Sequence, residues 1–177
     1  RKGYCVPATW ARYLRYMGIP ADEYTLANAA QTRKGGGTSA SQMLAAVAQL
    51  AKQNRRGIKT LTGKITLRRV SASIDDGLPI MWRMYSIGPF EGVGQPAGRM
   101  GAESPAAWKA ALEPARRAAK QLKPAPDERH MCLIIGYNPL TEEIATSDSW
   151  GPEHAEKWYT VEEVQAVCQG EQFFIDW

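Results

Sequence analysis

Cysteine is scarce in this chain: Cys5, Cys132 and Cys168 are the only three in 177 residues. At most one bridge can form, which excludes a disulfide-stapled scaffold and leaves a thiol that needs another role. Histidine is scarcer still, with His130 and His154 alone. No close ligand pair of the C-x-x-C or H-x-x-x-H kind occurs. That argues against zinc, although Cys5, His130 and Asp148 are all residue types that bind it. No metal or other cofactor is expected. Long apolar runs are missing too. The longest uncharged one, residues 131–137, has seven residues, against about 20 for a membrane-crossing helix. Neither sign of charge dominates: 22 Lys and Arg against 18 Asp and Glu leave +4, which a solvated surface accounts for. The pairs Arg55-Arg56 and Arg68-Arg69 lack the interleaved aromatics that stack bases, so no nucleic acid partner is expected. No internal repeat is visible, and the opening residues are not expected to be a signal peptide. The opening Arg1-Lys2-Gly3 lacks an initiator Met, so the expectation is a start within a longer protein.

What is present is ordinary globular material: 44% apolar, 9% aromatic and 23% charged residues. The length suits one domain over residues 1–177. Val6, Trp10, Leu14 and Met17 recur at helical spacing and predict a helix over residues 4–17, with Pro7 in its first turn and Gly18 ending it. A short helix is expected at 21–30. The glycines 35–37 read as a loop, and Thr38 or Ser39 caps a third helix running to about residue 53. Residues 58–61 and 64–70 alternate as strands, 73–77 reads as a short turn or helix, and 78–82 begins a buried strand. Residues 86–104, rich in Gly and Pro, read as a surface insertion. It continues into a helix from 105 to about 122 that Pro114 kinks or splits. The whole insertion covers about 86–126, with Arg116, Arg117 and Lys120 on a solvated face. Residues 131–137 are the strongest strand. They turn at 138–141 and return over 143–147. Thr160 and Glu163 form a capping box before a helix to Cys168, and 172–177 is a last strand. Helices first and antiparallel strands last make an α+β fold, with a cleft between a helical lobe and a sheet lobe.

Three residues could meet in that cleft. A nucleophilic thiol needs partial ionisation, a base within reach and a group that orients the base. Cys5 falls at a helix N-terminus, where unpaired N–H groups and the dipole favour a thiolate. His130 opens the best strand. Asp148 ends its return partner, so the hairpin brings the two together, and a carboxylate there fixes the tautomer of the imidazole and stabilises its cation. His154, in Gly151-Pro152-Glu153-His154, reads as an exposed loop residue. Cys132 and Cys168 read as packing residues.

The order Cys, His, then Asp148-Ser149-Trp150-Gly151 resembles the papain-like cysteine peptidases. It is most similar to their double-glycine, bacteriocin-processing branch. The opening Cys5-Val6-Pro7-Ala8, the Gly37-Thr38-Ser39 helix start and the Gly136-Tyr137-Asn138 strand end all resemble that branch. The resemblance implies a bacterial, thiol-dependent peptidase with Cys5 as nucleophile, His130 as general acid/base and Asp148 as orienter. It further implies that Trp150 shields the His–acid hydrogen bond and that the substrate is a peptide or protein; a narrow slot near the thiol would draw its walls from the segment at Gly37 and from the bulk of Trp82 and Trp150. An extracytoplasmic location is what the same resemblance implies. Two departures stand out. The family's oxyanion Gln lies about six residues before the Cys, upstream of Arg1, and Val6 replaces the usual Gly. The alternative they leave open is a weak or inactive peptidase-like domain that binds without cleaving.

Overall fold

The computed structural model describes residues 3–33, 37–91 and 103–176. Its elements are α1 (Cys5–Tyr16), α2 (Glu23–Ala29), α3 (Ala40–Gln53), β1 (Gly57–Thr62), α4 (Leu67–Asp75), β2 (Ile80–Tyr85), α5 (Pro105–Ala111), α6 (Glu113–Ala119), β3 (Arg129–Asn138), β4 (Glu143–Ser147), β5 (Lys157–Thr160), α7 (Val161–Val167) and β6 (Cys168–Asp176). The strands form one antiparallel sheet in the order β1-β6-β2-β3-β4-β5.

Strand alternation divides the core in two. Met81, Met131, Leu133, Phe173 and Ile175 pack against Trp10, Tyr13 and Leu14 of α1 and Met43 and Val47 of α3. Ile80, Trp82, Met84, Cys132 and Ile134 join Val70 of α4 and Val164 and Val167 of α7. α1 is therefore clamped on the sheet by its apolar stripe. The Tyr13 hydroxyl accepts the Ile175 N–H at 3.1 Å, and burial pushes that phenol up to about 12.

Several expectations need correcting. Residues 64–70 are not a strand: Thr66 caps Arg69 N–H at 3.2 Å and starts α4. Leu67, Val70 and Ile74, three and four apart, lie against the second core, a helical period that a seven-residue window mistook for alternation. The strand β5 was not foreseen, and β6 begins at Cys168 rather than 172. The insertion is only partly a surface feature. Phe90 is buried and its ring stacks on Tyr159 at 3.9 Å. Residues 92–102 of that expected insertion, Gly35 and Gly36 of the expected loop, and Trp177 lie outside the described residues. Pro114 does split the helix, between α5 and α6. Arg116 is buried rather than solvated. It pairs with Glu162 at 2.7 Å and donates to the Thr141 carbonyl at 2.7 Å. Among the described residues no helix is long and apolar enough to cross a membrane.

Candidate active site

Cys5 is the first residue of α1. The first intrahelical bond runs from Ala8 N–H to the Tyr4 carbonyl, so helix geometry turns the N–H groups of Cys5 and Val6 outward. The chain reaches this point through Gly3, at φ +98°. A Cβ on Gly3 would sit 3.2 Å from the Gly37 nitrogen. The Thr38 hydroxyl donates to the Gly3 carbonyl at 3.2 Å. Gly37 thus lies against the segment leading into Cys5, and two backbones pass there that only glycine lets pass so closely.

β3 carries His130 to the same place. One bond fixes helix to strand: the buried Thr9 hydroxyl donates to the Met131 carbonyl at 3.0 Å. Thr9 lies one helical turn beyond Cys5, on its face of α1. β4 pairs with β3 and delivers Asp148 just past its end. His130 Nε2 and Asp148 Oδ2 are 2.7 Å apart, with side chains 4% and 13% exposed. The other carboxylate oxygen accepts Ser149 N–H at 2.6 Å. With Nε2 committed to Asp148, Nδ1 is the nitrogen left for a thiol, and Cys5 lies near enough for its sulfur to favour the His130 cation.

The electrostatics follow from this packing. Burial is the largest single influence on His130 and opposes its cation. The Asp148 hydrogen bond, the Cys5 contact and the charges of both residues together outweigh it, and the imidazolium is held up to about 9. Burial also acts on the thiols of the two cysteines outside this cluster. Burial pushes Cys132 well above the ordinary thiol range, and its S–H faces Met84 Sδ at 3.5 Å. Burial also raises Cys168. All three cysteines are free.

Around this cluster the expected residues separate. Trp150 lies over His130, ring centroids 4.3 Å apart and planes 35° apart, and is 44% exposed. Trp82 does not wall the site. It has no exposed surface and packs edge-on to Phe90 in the second core, so it cannot touch a bound peptide. His154, expected in solvent, is 6% exposed.

Two residues were missed. Thr9 is one. The other is Arg12, whose guanidinium donates to the Ser147 hydroxyl; burial lowers its pKa, while the Asp148 charge supports its cation. Cys5, Thr9 and Arg12 are spaced four and three apart, so polar residues on the buried stripe of α1 were the available signal. Arg12 also lines a groove of about 300 Å³ beside Asp148, with Ala8, Arg15, Glu23, Ser149 and Pro152. Among the described residues no group of three or more His, Cys, Asp and Glu is arranged to hold a metal ion.

A helix-borne thiol against a strand-borne imidazole, on an antiparallel sheet, is the arrangement of a papain-like α+β fold. The chain belongs to the Peptidase_C39-like family, whose model matches residues 1–173. Its fold is that of C39 peptidase domains. The peptidase domain of Streptococcus ComA, a bifunctional ABC transporter in a quorum-sensing pathway, superposes with a TM-score of 0.60 at 13% identity, over 99% of this chain and 93% of that one. A Bacillus anthracis protein described as a C39-like peptidase gives 0.57 at 14% identity, over 99% and 90%. No curated protein matches the chain significantly.

Proposed function

We propose that this protein is a cysteine peptidase that hydrolyses a peptide bond in a peptide or protein substrate, with Cys5, His130 and Asp148 as its catalytic group. The observation that carries the reading is the His130–Asp148 pair, 2.7 Å apart at Nε2, with Cys5 near enough to favour the same imidazolium. An imidazole held as a cation to about 9 can neutralise a neighbouring thiolate across the neutral range.

The Cys5 sulfur attacks the scissile carbonyl carbon, and the carbonyl electron pair moves onto oxygen. The outward N–H of Cys5 donates to that oxyanion as charge develops. When the tetrahedral intermediate collapses, the C–N bond breaks and the His130 proton passes to the leaving amine. A thioester to Cys5 remains. Water then gives a proton to the now neutral His130 as its oxygen attacks the thioester. Collapse of this second intermediate breaks the C–S bond, releases the acid and restores the thiolate–imidazolium pair. Asp148 keeps the ring oriented throughout, and its fixed carboxylate stabilises each imidazolium that forms.

The test is incubation with a mixed peptide library and analysis of products by mass spectrometry. The expected result is new termini with the wild type and none with Cys5→Ala, with a thioester adduct on the peptide that contains Cys5. An intact library with a folded wild-type protein would overturn the reading in favour of a domain that binds without cleaving.

A further inference from the structure

The chain from Asp148 to His154 forms a closed ring. Asp148 N–H donates to the His154 carbonyl at 2.9 Å, and His154 N–H donates to the Gly151 carbonyl at 3.0 Å. Gly151 makes the reversal at φ +134°, where a Cβ would also strike the Glu153 carboxylate at 2.8 Å. At the tip stands Trp150. One of its neighbours is His130. The other is His154, whose ring meets the indole at 86° with centroids 5.6 Å apart. The indole therefore contacts both imidazoles.

His154 is 6% exposed. Its Nδ1 is buried with no hydrogen-bond partner among the described residues, and its Nε2 is 4.0 Å from the nearest Glu153 oxygen. A buried ring with so little polar engagement contributes through its shape and its edge. The backbone bond to Asp148 would survive any change of this side chain, so the ring itself serves Trp150.

We infer that His154 is a positioning residue, which holds Trp150 over the His130–Asp148 hydrogen bond and thereby keeps water from it. The inference rests on the peptidase reading for its significance. Its geometry does not depend on that reading. The indole is nearly half exposed and would otherwise be free to swing outward, opening the Nε2 proton to exchange.

The test reads that proton directly, as the exchange rate of the His130 Nε2–H followed by NMR below pH 8. In His154→Ala the remaining histidine is His130, so assignment is unambiguous. Exchange should quicken about 2- to 10-fold, the range that one aromatic contact contributes. His154→Phe, which keeps a ring edge against the indole, should restore protection. In a Trp150→Ala background, His154→Ala should add nothing. Unchanged exchange in His154→Ala would overturn the inference, as would an equal increment with Trp150 absent. So would a wild-type proton no better protected than in Trp150→Ala. Should His154→Ala fail to fold, His154→Gln against His154→Phe poses the same question, ring lost against ring kept. An inert Cys5 with a protected His130 proton would sink the peptidase reading and spare this one. A reactive Cys5 with exchange indifferent to His154 would do the reverse.

Discussion

The hairpin of β3 and β4 buries charge at both its ends and treats it in opposite ways. At the turn end, the fully buried Glu143 accepts the Trp108 indole N–H at 2.8 Å and the Thr141 hydroxyl at 2.7 Å. Arg116 is locked there between Glu162 and the Thr141 carbonyl. These partners come from α5, α6 and the start of α7, and they seal the end with protein. At the open end, His130 and Asp148 are as tightly paired, yet the third member, Cys5, is half-buried and the covering Trp150 is half in solvent. A buried charge whose contacts join neighbouring elements holds those elements together. One whose contacts lead out to a thiol near the surface can do chemistry.

Substitutions can break this contrast from either side. The largest effect belongs to the open end: Cys5→Ala should lower hydrolysis by at least about 10³-fold, because it removes the proposed nucleophile, while the melting temperature stays within a few degrees. The turn end should show the converse. Arg116→Met leaves the buried Thr141 carbonyl unpaired and takes the cation from the half-exposed Glu162, and should cost about 1–3 kcal/mol in urea unfolding with Cys5 alkylation at its wild-type rate. Loss of alkylation there would erase the distinction between the two ends.

Asp148→Asn sharpens it further. An amide still orients the ring but carries no charge, so the His130 cation should weaken. In the proposed mechanism hydrolysis depends on that proton for the leaving amine, so its upper pH limb, expected near 9 in the wild type, should move down toward neutrality. Stability follows the same group. The folded imidazole binds its proton more tightly than the ordinary value of 6.5 allows. Its contribution is therefore complete below about pH 6.5 and drains as pH rises through 9. The urea midpoint should fall across that window, and fall less in Asp148→Asn. The smallest effect is expected from Thr9→Val. It removes the bond from α1 to β3 and leaves the Met131 carbonyl unpaired, a cost of about 1–2 kcal/mol with a modest slowing of Cys5 alkylation.

Much of this contrast was legible in the sequence, and the rest was hidden for physical reasons. The apolar spacing of Trp10 and Leu14, the Thr160–Glu163 capping box and the hairpin length are local signals, and each matched its element. The approach of His130 to Asp148 followed from that hairpin length, since antiparallel strands return to their start. What failed was whatever depended on partners far along the chain. Arg116 looks like any solvated arginine until Glu162 and Thr141 arrive beside it. His154 looks like loop until Trp150 folds over it. Trp82 was placed near the site on size alone, whereas strand alternation sends it to the opposite core from Met81. Residues 64–70 misled because a period of two and a period of 3.6 overlap within seven residues.

The central claim is that the Cys5 sulfur is paired with the His130 imidazole while the other two thiols are not. The most direct measurement is labelling with an electrophilic thiol trap at pH 6 to 7, with rates read separately for each cysteine-containing peptide. The account predicts that Cys5 reacts at least about tenfold faster than Cys132 and Cys168, since thiolate content governs the rate, and that His130→Ala removes the difference. Equal rates at all three cysteines, or a fast Cys5 indifferent to His130, would contradict it.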